Sequence, residues 1–263
     1  MADTPNSDLL TDVADSVLTI TFNRPARKNA LTPAMFAEIP QLLREAEANT
    51  DIRVVVFTGA GDAFCAGADL GPADPDRERM HAIANMRVTH EGAQVLHDFT
   101  KPTVAKINGV VVGAGLNLAL GCDLTYAADT ARFSEIFAKR GLSLDWGGSY
   151  LLPRLVGLHK AKELALLGEI IGADEAAAIG LVNRVVPAAE LDAVVADVAA
   201  RLAAGPPLAL SMTKRLLNNS SALSMSQALE AESLAQSVNF STDDTVEAIR
   251  AFQEKRTPEF RGQ

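Results

Sequence analysis

From Ser16 to Phe22 apolar and polar residues alternate, the two-residue period of a half-buried strand, and Arg24-Pro25 stops it. Pro33 to Ala48 then shows helical periodicity, with Thr32 well suited to cap its N-terminus. Arg53 to Thr58 is a β-branched run that predicts a buried strand. A long helix is predicted from near Arg77 to Asp98. Lys101-Pro102 ends it, and Thr103 to Ile107 forms the next strand. A helix over Gly115 to Leu120 and a strand over Leu124 to Ala127 follow. Gly141 to Gly148 reads as a loop leading into a helix, and the run from Trp146 to Leu155 already has helical spacing. This alternation of strands and helices gives an α/β class. After Pro206 strand signals vanish, and helices over Leu208 to Asn218, Ser224 to Ser237 and Asp243 to Glu254 suggest a helical appendage. Pro206-Pro207 is the natural boundary, dividing a core of residues 1–205 from a helical region of residues 206–263.

Two short runs of small residues carry the candidate chemistry: Phe64-Cys65-Ala66-Gly67-Ala68-Asp69-Leu70 and Gly113-Ala114-Gly115-Leu116-Asn117. Each follows an apolar run and opens what reads as a helix, so each bares backbone N–H groups. One N–H from each, aimed at the same carbonyl oxygen, would form an oxyanion hole. A helix starting near Gly115 would add its positive end, which favours a developing enolate. The plainer reading is that small residues let a helix pack closely on a strand.

With 263 residues the chain can bury a full core, and its net charge of -9 argues against nucleic acid as a partner. No apolar run approaches the roughly 20 residues of a membrane span, and Met1 to Asp8 resembles no secretory signal. Cys65 and Cys122 stand apart without CxxC spacing, which points to a reducing, cytoplasmic setting and no structural zinc. The four histidines are scattered, with His90 and His97 able to share a helical face but no HExxH, so no metal site is expected.

Five segments in order resemble the crotonase superfamily, also called the enoyl-CoA hydratase/isomerase family. They are Asn23-Arg24-Pro25 with Asn29-Ala30-Leu31, Val54 to Gly59, Phe64 to Leu70, Ile107-Asn108-Gly109 with Gly113 to Leu120, and Gly147-Gly148. The resemblance implies a spiral of ββα units with a C-terminal helical trimerisation region, assembled as a homotrimer or homohexamer. It also implies an acyl-CoA thioester substrate and no separate cofactor, since coenzyme A arrives with the substrate. By the same resemblance the oxyanion donors fall on the N–H groups of Ala68 and Ala114. Ala66, Gly67, Asp69 and Leu70 match the segment that contacts the adenine of coenzyme A, and Arg27 or Lys28 the cation near its phosphates. Phe240 and Lys255 resemble residues that reach the coenzyme A of a neighbouring subunit. Read as bare sequence, Arg27 and Lys28 are solvated loop charges and Phe240 a helix-packing residue.

The chain departs from the hydratase pattern at the chemistry. The two glutamates that hold water in hydratases fall on Asn117 and Phe137, so paired carboxylates are lacking at those places. Glu135 lies two positions early and would substitute only with a different local backbone. Asp145, before Gly147-Gly148, matches the aspartate of the family's isomerases, including those of phenylacetyl-CoA breakdown. One carboxylate, its pKa raised by Trp146, Phe137 and Leu144, can move a proton between two carbons. Asp145 could equally cap the helix that follows. Asn117 would orient thioester or water, or be satisfied within the core. Trp146, Phe137 and the segment from Met80 to His97 would line the acyl pocket, or be plain core. The leading expectation is double-bond isomerisation by Asp145 over an enolate held at Ala68 and Ala114. Hydration of a 2-enoyl-CoA and a non-catalytic thioester-binding subunit are the alternatives.

Overall fold

The strand Val54–Gly59 is buried at every position, and its alternate residues face two different cores. Val55 and Phe57 join the larger with Ile20, Phe22, Leu43 and Phe64; Val54 and Val56 join the smaller with Val104, Val195 and Ala199. A parallel strand covered on both faces has no polar side to show, hence the unbroken Val54-Val55-Val56-Phe57. The computed structural model describes residues 7–71 and 82–263.

In chain order the strands are β1 (Leu9–Ala14), β2 (Val17–Phe22), β3 (Val54–Gly59), β4 (Ala63–Cys65), β5 (Thr103–Ile107), β6 (Val110–Val112), β7 (Leu124–Ala128), β8 (Arg132–Ser134), β9 (Ile171–Gly172) and β10 (Arg184–Val186). The helices are α1 (Pro33–Ala48), α2 (Ala82–Asp98), α3 (Ala114–Gly121), α4 (Gly148–Val156), α5 (Leu158–Leu167), α6 (Ala173–Ala178), α7 (Leu191–Ala203), α8 (Pro207–Asn219), α9 (Met225–Asn239) and α10 (Asp243–Glu254). One sheet runs β1-β2-β3-β5-β7-β10 and a smaller one β4-β6-β8-β9. Successive strand pairs therefore divide between the sheets: β3, β5 and β7 enter the first, while β4, β6 and β8 enter the second, all in parallel. With α2 and α3 closing the first two pairs, this is the spiral of ββα units.

Thr32 caps α1 as expected, its Oγ1 accepting from the Met35 N–H at 3.2 Å. The hairpin strand β1 escaped the sequence reading. Its turn residues Asp15 and Ser16 both have positive φ, 50° and 62°, but carry no glycine to announce them. Strands β4, β6 and β8 have three residues each, too few to show a period. The expected start of α2 near Arg77 lies outside the described residues. The helix expected from Trp146 begins only at Gly148, because Trp146 and Gly147 have φ of 48° and 80°. The helices after Pro206 form as expected. Of these, α8 meets the core through Lys214, whose Nζ donates to Asp123 at 2.8 Å and to the Lys101 carbonyl at 3.0 Å.

Candidate active site

Because β4 and β6 are parallel neighbours, with Cys65 opposite Val111, the chain leaves both at the same end. The two small-residue turns therefore meet. A Cβ at Gly67 would stand 2.9 Å from the Val112 carbonyl and 3.6 Å from the Ala114 nitrogen, and Gly67 has φ of +87°. The first turn is tied to Leu31: its N–H donates to the Gly67 carbonyl at 2.8 Å, and its carbonyl accepts from Asp69 N–H at 2.9 Å. In a parallel bridge of this kind the intervening residue turns its own N–H away. Ala68 is that residue, and its N–H donates to no described group. Ala114 is the first residue of α3, whose N-terminus has no side-chain cap. Gly113 before it takes φ 55° and ψ -127°, a glycine conformation, so the turn's strain lies there and the Ala114 methyl is free of it. The plainer reading also holds at Gly115, where a Cβ would fall 2.5 Å from Cys65 Sγ. Close packing of α3 on β4 is what brings the two turns together.

One turn along α3, Asn117 is wholly buried. Its Nδ2 donates to the Asp145 carbonyl at 2.9 Å, which also accepts from Gly148 N–H at 2.9 Å. Gly148 leaves room for this, since a Cβ there would lie 2.4 Å from that Nδ2. The N-cap of α4 is Gly147, and Asp145 makes no capping bond, so the capping alternative falls. Trp146 is buried against Phe36 and Gly92, where a Cβ would meet its ring at 2.7 Å.

Glu135 follows Ser134, which pairs with Val112 in the β6–β8 ladder and accepts from Gly113 N–H at 2.9 Å. That ladder carries Glu135 close to the turn at Gly113, where it is 1% exposed. Among the described residues, the buried side-chain polar atoms lacking a hydrogen bond are Asn117 Oδ1, both Glu135 carboxyl oxygens, Asp145 Oδ1 and Trp146 Nε1. Orphaned polar groups are costly and rare in native proteins, so their convergence marks a site. Burial pushes the Asp145 carboxyl up to about 6. Glu135 is pushed up to about 8, by burial first and then by the negative charge of Asp145. The Asn117 amide pulls it back part of the way without forming a well-aligned hydrogen bond.

A cavity of about 520 Å³ is walled by Asn117, Asp145, Trp146 and Leu144, with Leu96 and His97 from α2; Ala68, Ala114 and Glu135 are not in its lining. Trp146 and the end of α2 line this cavity; Met80 lies outside the described residues. Phe137 is not in this wall. The short 3-10 helix Ile136–Arg140 turns its ring onto Gly113, where an added Cβ would meet it at 3.6 Å. Ala66 to Leu70 borders the first turn, and Asp69 fastens it, bonded to Arg24 at 2.8 Å and Arg27 at 3.1 Å. Those two cations hold its carboxyl down to about 2. Lys28 pairs with Asp62 at 2.5 Å. Phe240 and Lys255 are exposed, after α9 and α10, far along the chain from this site.

Residues 12–263 match the family model described as Enoyl-CoA hydratase/isomerase. The chain belongs to this family. It is 35% identical to the 1,2-epoxyphenylacetyl-CoA isomerase of Escherichia coli K12 over 97% of its own length and 98% of that protein. It is 34% identical to the short-chain-enoyl-CoA hydratase of Clostridium acetobutylicum, covering 95% and 96% of the two. A crystal structure of a putative enoyl-CoA hydratase from Streptomyces coelicolor A3(2) superposes with a TM-score of 0.92 at 34% identity, over 100% of this chain and 98% of the other. The chain is thus an enoyl-CoA hydratase/isomerase family enzyme with the crotonase fold, and its family names span both reactions. Glu135 is the residue that sequence reasoning undervalued. The signal was a single charge inside the apolar run Phe133 to Phe137.

Proposed function

We propose that this enzyme shifts a double bond in an acyl-CoA thioester, with Asp145 as the single acid/base. The observation that carries the reading is the Asp145 carboxyl. It is desolvated, uncapped and without a hydrogen bond at Oδ1, and it lies in a cavity wall beside Asn117. Its carboxylate takes a proton from one carbon of the substrate; the C–H electron pair moves into the thioester, and the enolate oxygen rests on the Ala68 and Ala114 N–H groups. The same carboxyl, now protonated, returns the proton to a second carbon, and the double bond ends one place along. A pKa near 6 suits both steps at neutral pH. Coenzyme A would enter with the substrate, its adenine on Ala66 to Leu70 and its phosphates near Arg27 and Lys28. The E. coli isomerase relative supports this reading. The hydratase names of other relatives favour the second, addition of water to a 2-enoyl-CoA.

The deciding experiment incubates the enzyme with 2-enoyl-, 3-enoyl- and arylacetyl-CoA esters in deuterated water. Double-bond migration with label uptake and no hydroxyacyl product is expected. Hydration without migration would overturn the proposal in favour of the second reading.

A further inference from the structure

Glu135 has no task in the proton transfer above, yet no side chain in the site is harder to accommodate. It is 1% exposed, neither of its oxygens makes a well-aligned hydrogen bond, and among the described residues the charge bearing on it is the negative charge of Asp145. An ionised carboxylate so placed, beside a second carboxylate and with no cation, is strongly disfavoured. A neutral carboxyl is different, because it carries a hydrogen and donates. The neutral side chain that acts on it is Asn117, whose Oδ1 is buried and unbonded while its Nδ2 already holds the Asp145 carbonyl.

We infer that Glu135 is a positioning residue: a neutral acid that donates to Asn117 Oδ1, so that Asn117 fixes the Asp145 turn and the negative charge of the carboxyl pair stays on Asp145. The inference rests on the reading of Asp145 as the acid/base. Every neighbouring element agrees with the charge assignment. Helix α3 presents the neutral Asn117, the turn before α4 presents Asp145, and the end of α5 presents the Gly168 backbone, close to the Glu135 carbonyl. Lys139 and Arg140 of the adjoining 3-10 helix are exposed, and His90 and His97 stand in the cavity wall with Asp145. Ionising Glu135 would break the link to Asn117 and set two like charges together. Proton exchange should therefore rise as Asp145 loses its proton near 6 and fall again as Glu135 loses its own near 8.

Two measurements on the full-length protein test this. In a carbon-13 titration of side-chain carboxyls without substrate, one glutamate is expected to titrate far above the ordinary range. Its signal should vanish in Glu135→Gln and shift to lower pH in Asp145→Asn. In the pH profile of deuterium exchange into a 3-enoyl-CoA, Glu135→Gln, which keeps a donor, should stay within roughly tenfold of wild type at neutral pH and lose the alkaline fall. Glu135→Leu, with no donor, should lower kcat by about a hundredfold at similar KM. The inference is overturned if Glu135 titrates normally, if its titration ignores Asp145→Asn, if Glu135→Gln keeps the alkaline limb, or if a folded Glu135→Leu keeps full rate. Should wild type exchange no label at all, the functional reading fails, and the two titrations still decide the charge state of Glu135.

Discussion

At the scale of single residues, two carboxyls in one low-dielectric pocket are given different protonation by their surroundings. Asp145 Oδ1 is desolvated in a cavity wall; Glu135 is sealed behind it and meets the charge of Asp145 as well. Asp145→Asn keeps size and polarity but carries no transferable proton. It is expected to abolish exchange by several orders of magnitude while melting temperature and CoA-thioester affinity hold, as calorimetry and a label-uptake assay would show together. Glu135 also makes a prediction about stability. Its ordinary pKa is 4.5 and its folded value about 8, so between those limits the unfolded chain releases a proton that the folded chain keeps. Stability therefore falls as pH rises through that window. Glu135→Gln removes the effect: it should stabilise the protein by ~2–4 kcal/mol at pH 8 and by little at pH 4, measured by urea denaturation at both.

Elements carry the precision of the site. Helix α3 packs on β4 so closely that Gly115 admits no Cβ, and α4 approaches α3 across Gly148 with Asn117 in between. Gly148→Ala would overlap the Asn117 amide at 2.4 Å and push it from the Asp145 carbonyl. A displacement near 1 Å costs about a hundredfold in rate. The expected result is that loss in kcat with native circular dichroism. Gly115→Ala, which meets Cys65 Sγ at 2.5 Å, its Cβ at 2.7 Å and its carbonyl at 2.7 Å, should destabilise by ~1–3 kcal/mol. It would also part the turns that bear Ala68 and Ala114, lowering thioester affinity in the same variant.

For the whole molecule the decisive feature is the helical region after Pro206. Helices α8 and α9 bury no residue, and Met225, Leu234, Phe240, Val246 and Phe252 are exposed, Phe252 by 86%. Apolar surface on this scale favours association, in line with the trimer or hexamer that the family resemblance implies. Light scattering at micromolar concentration is expected to give such an assembly. Truncation after Gly205 should give monomer or aggregate with weak thioester binding; a full-length monomer would refute the assembly.

The sequence by itself determined the long elements, because their periodicity is local: α1 with its Thr32 cap, the buried β3, and the helices after Pro206 at nearly their observed limits. The family was legible as well, since its motifs are glycine-rich turns whose backbone demands only small residues meet. What lay beyond the sequence was everything set by contact between distant segments. The second sheet consists of strands too short to show a period, and the turn at Gly67 meets the one at Gly113 only because β4 and β6 are parallel neighbours. The sequence left Asp145 between cap and acid; the fold removes the cap, by starting α4 at Gly148, and leaves the carboxyl in the cavity wall. Phe137 was placed in the pocket on motif register alone; a 3-10 turn sets its ring against Gly113, beside the Ala114 turn and outside the cavity of Asp145. Glu135 was a lone charge in an apolar run. Its desolvation and its pairing with Asp145 exist only once the β6–β8 ladder, α3 and the turn before α4 close around it, because a pKa is set by the groups that surround a carboxyl and not by its neighbours along the chain.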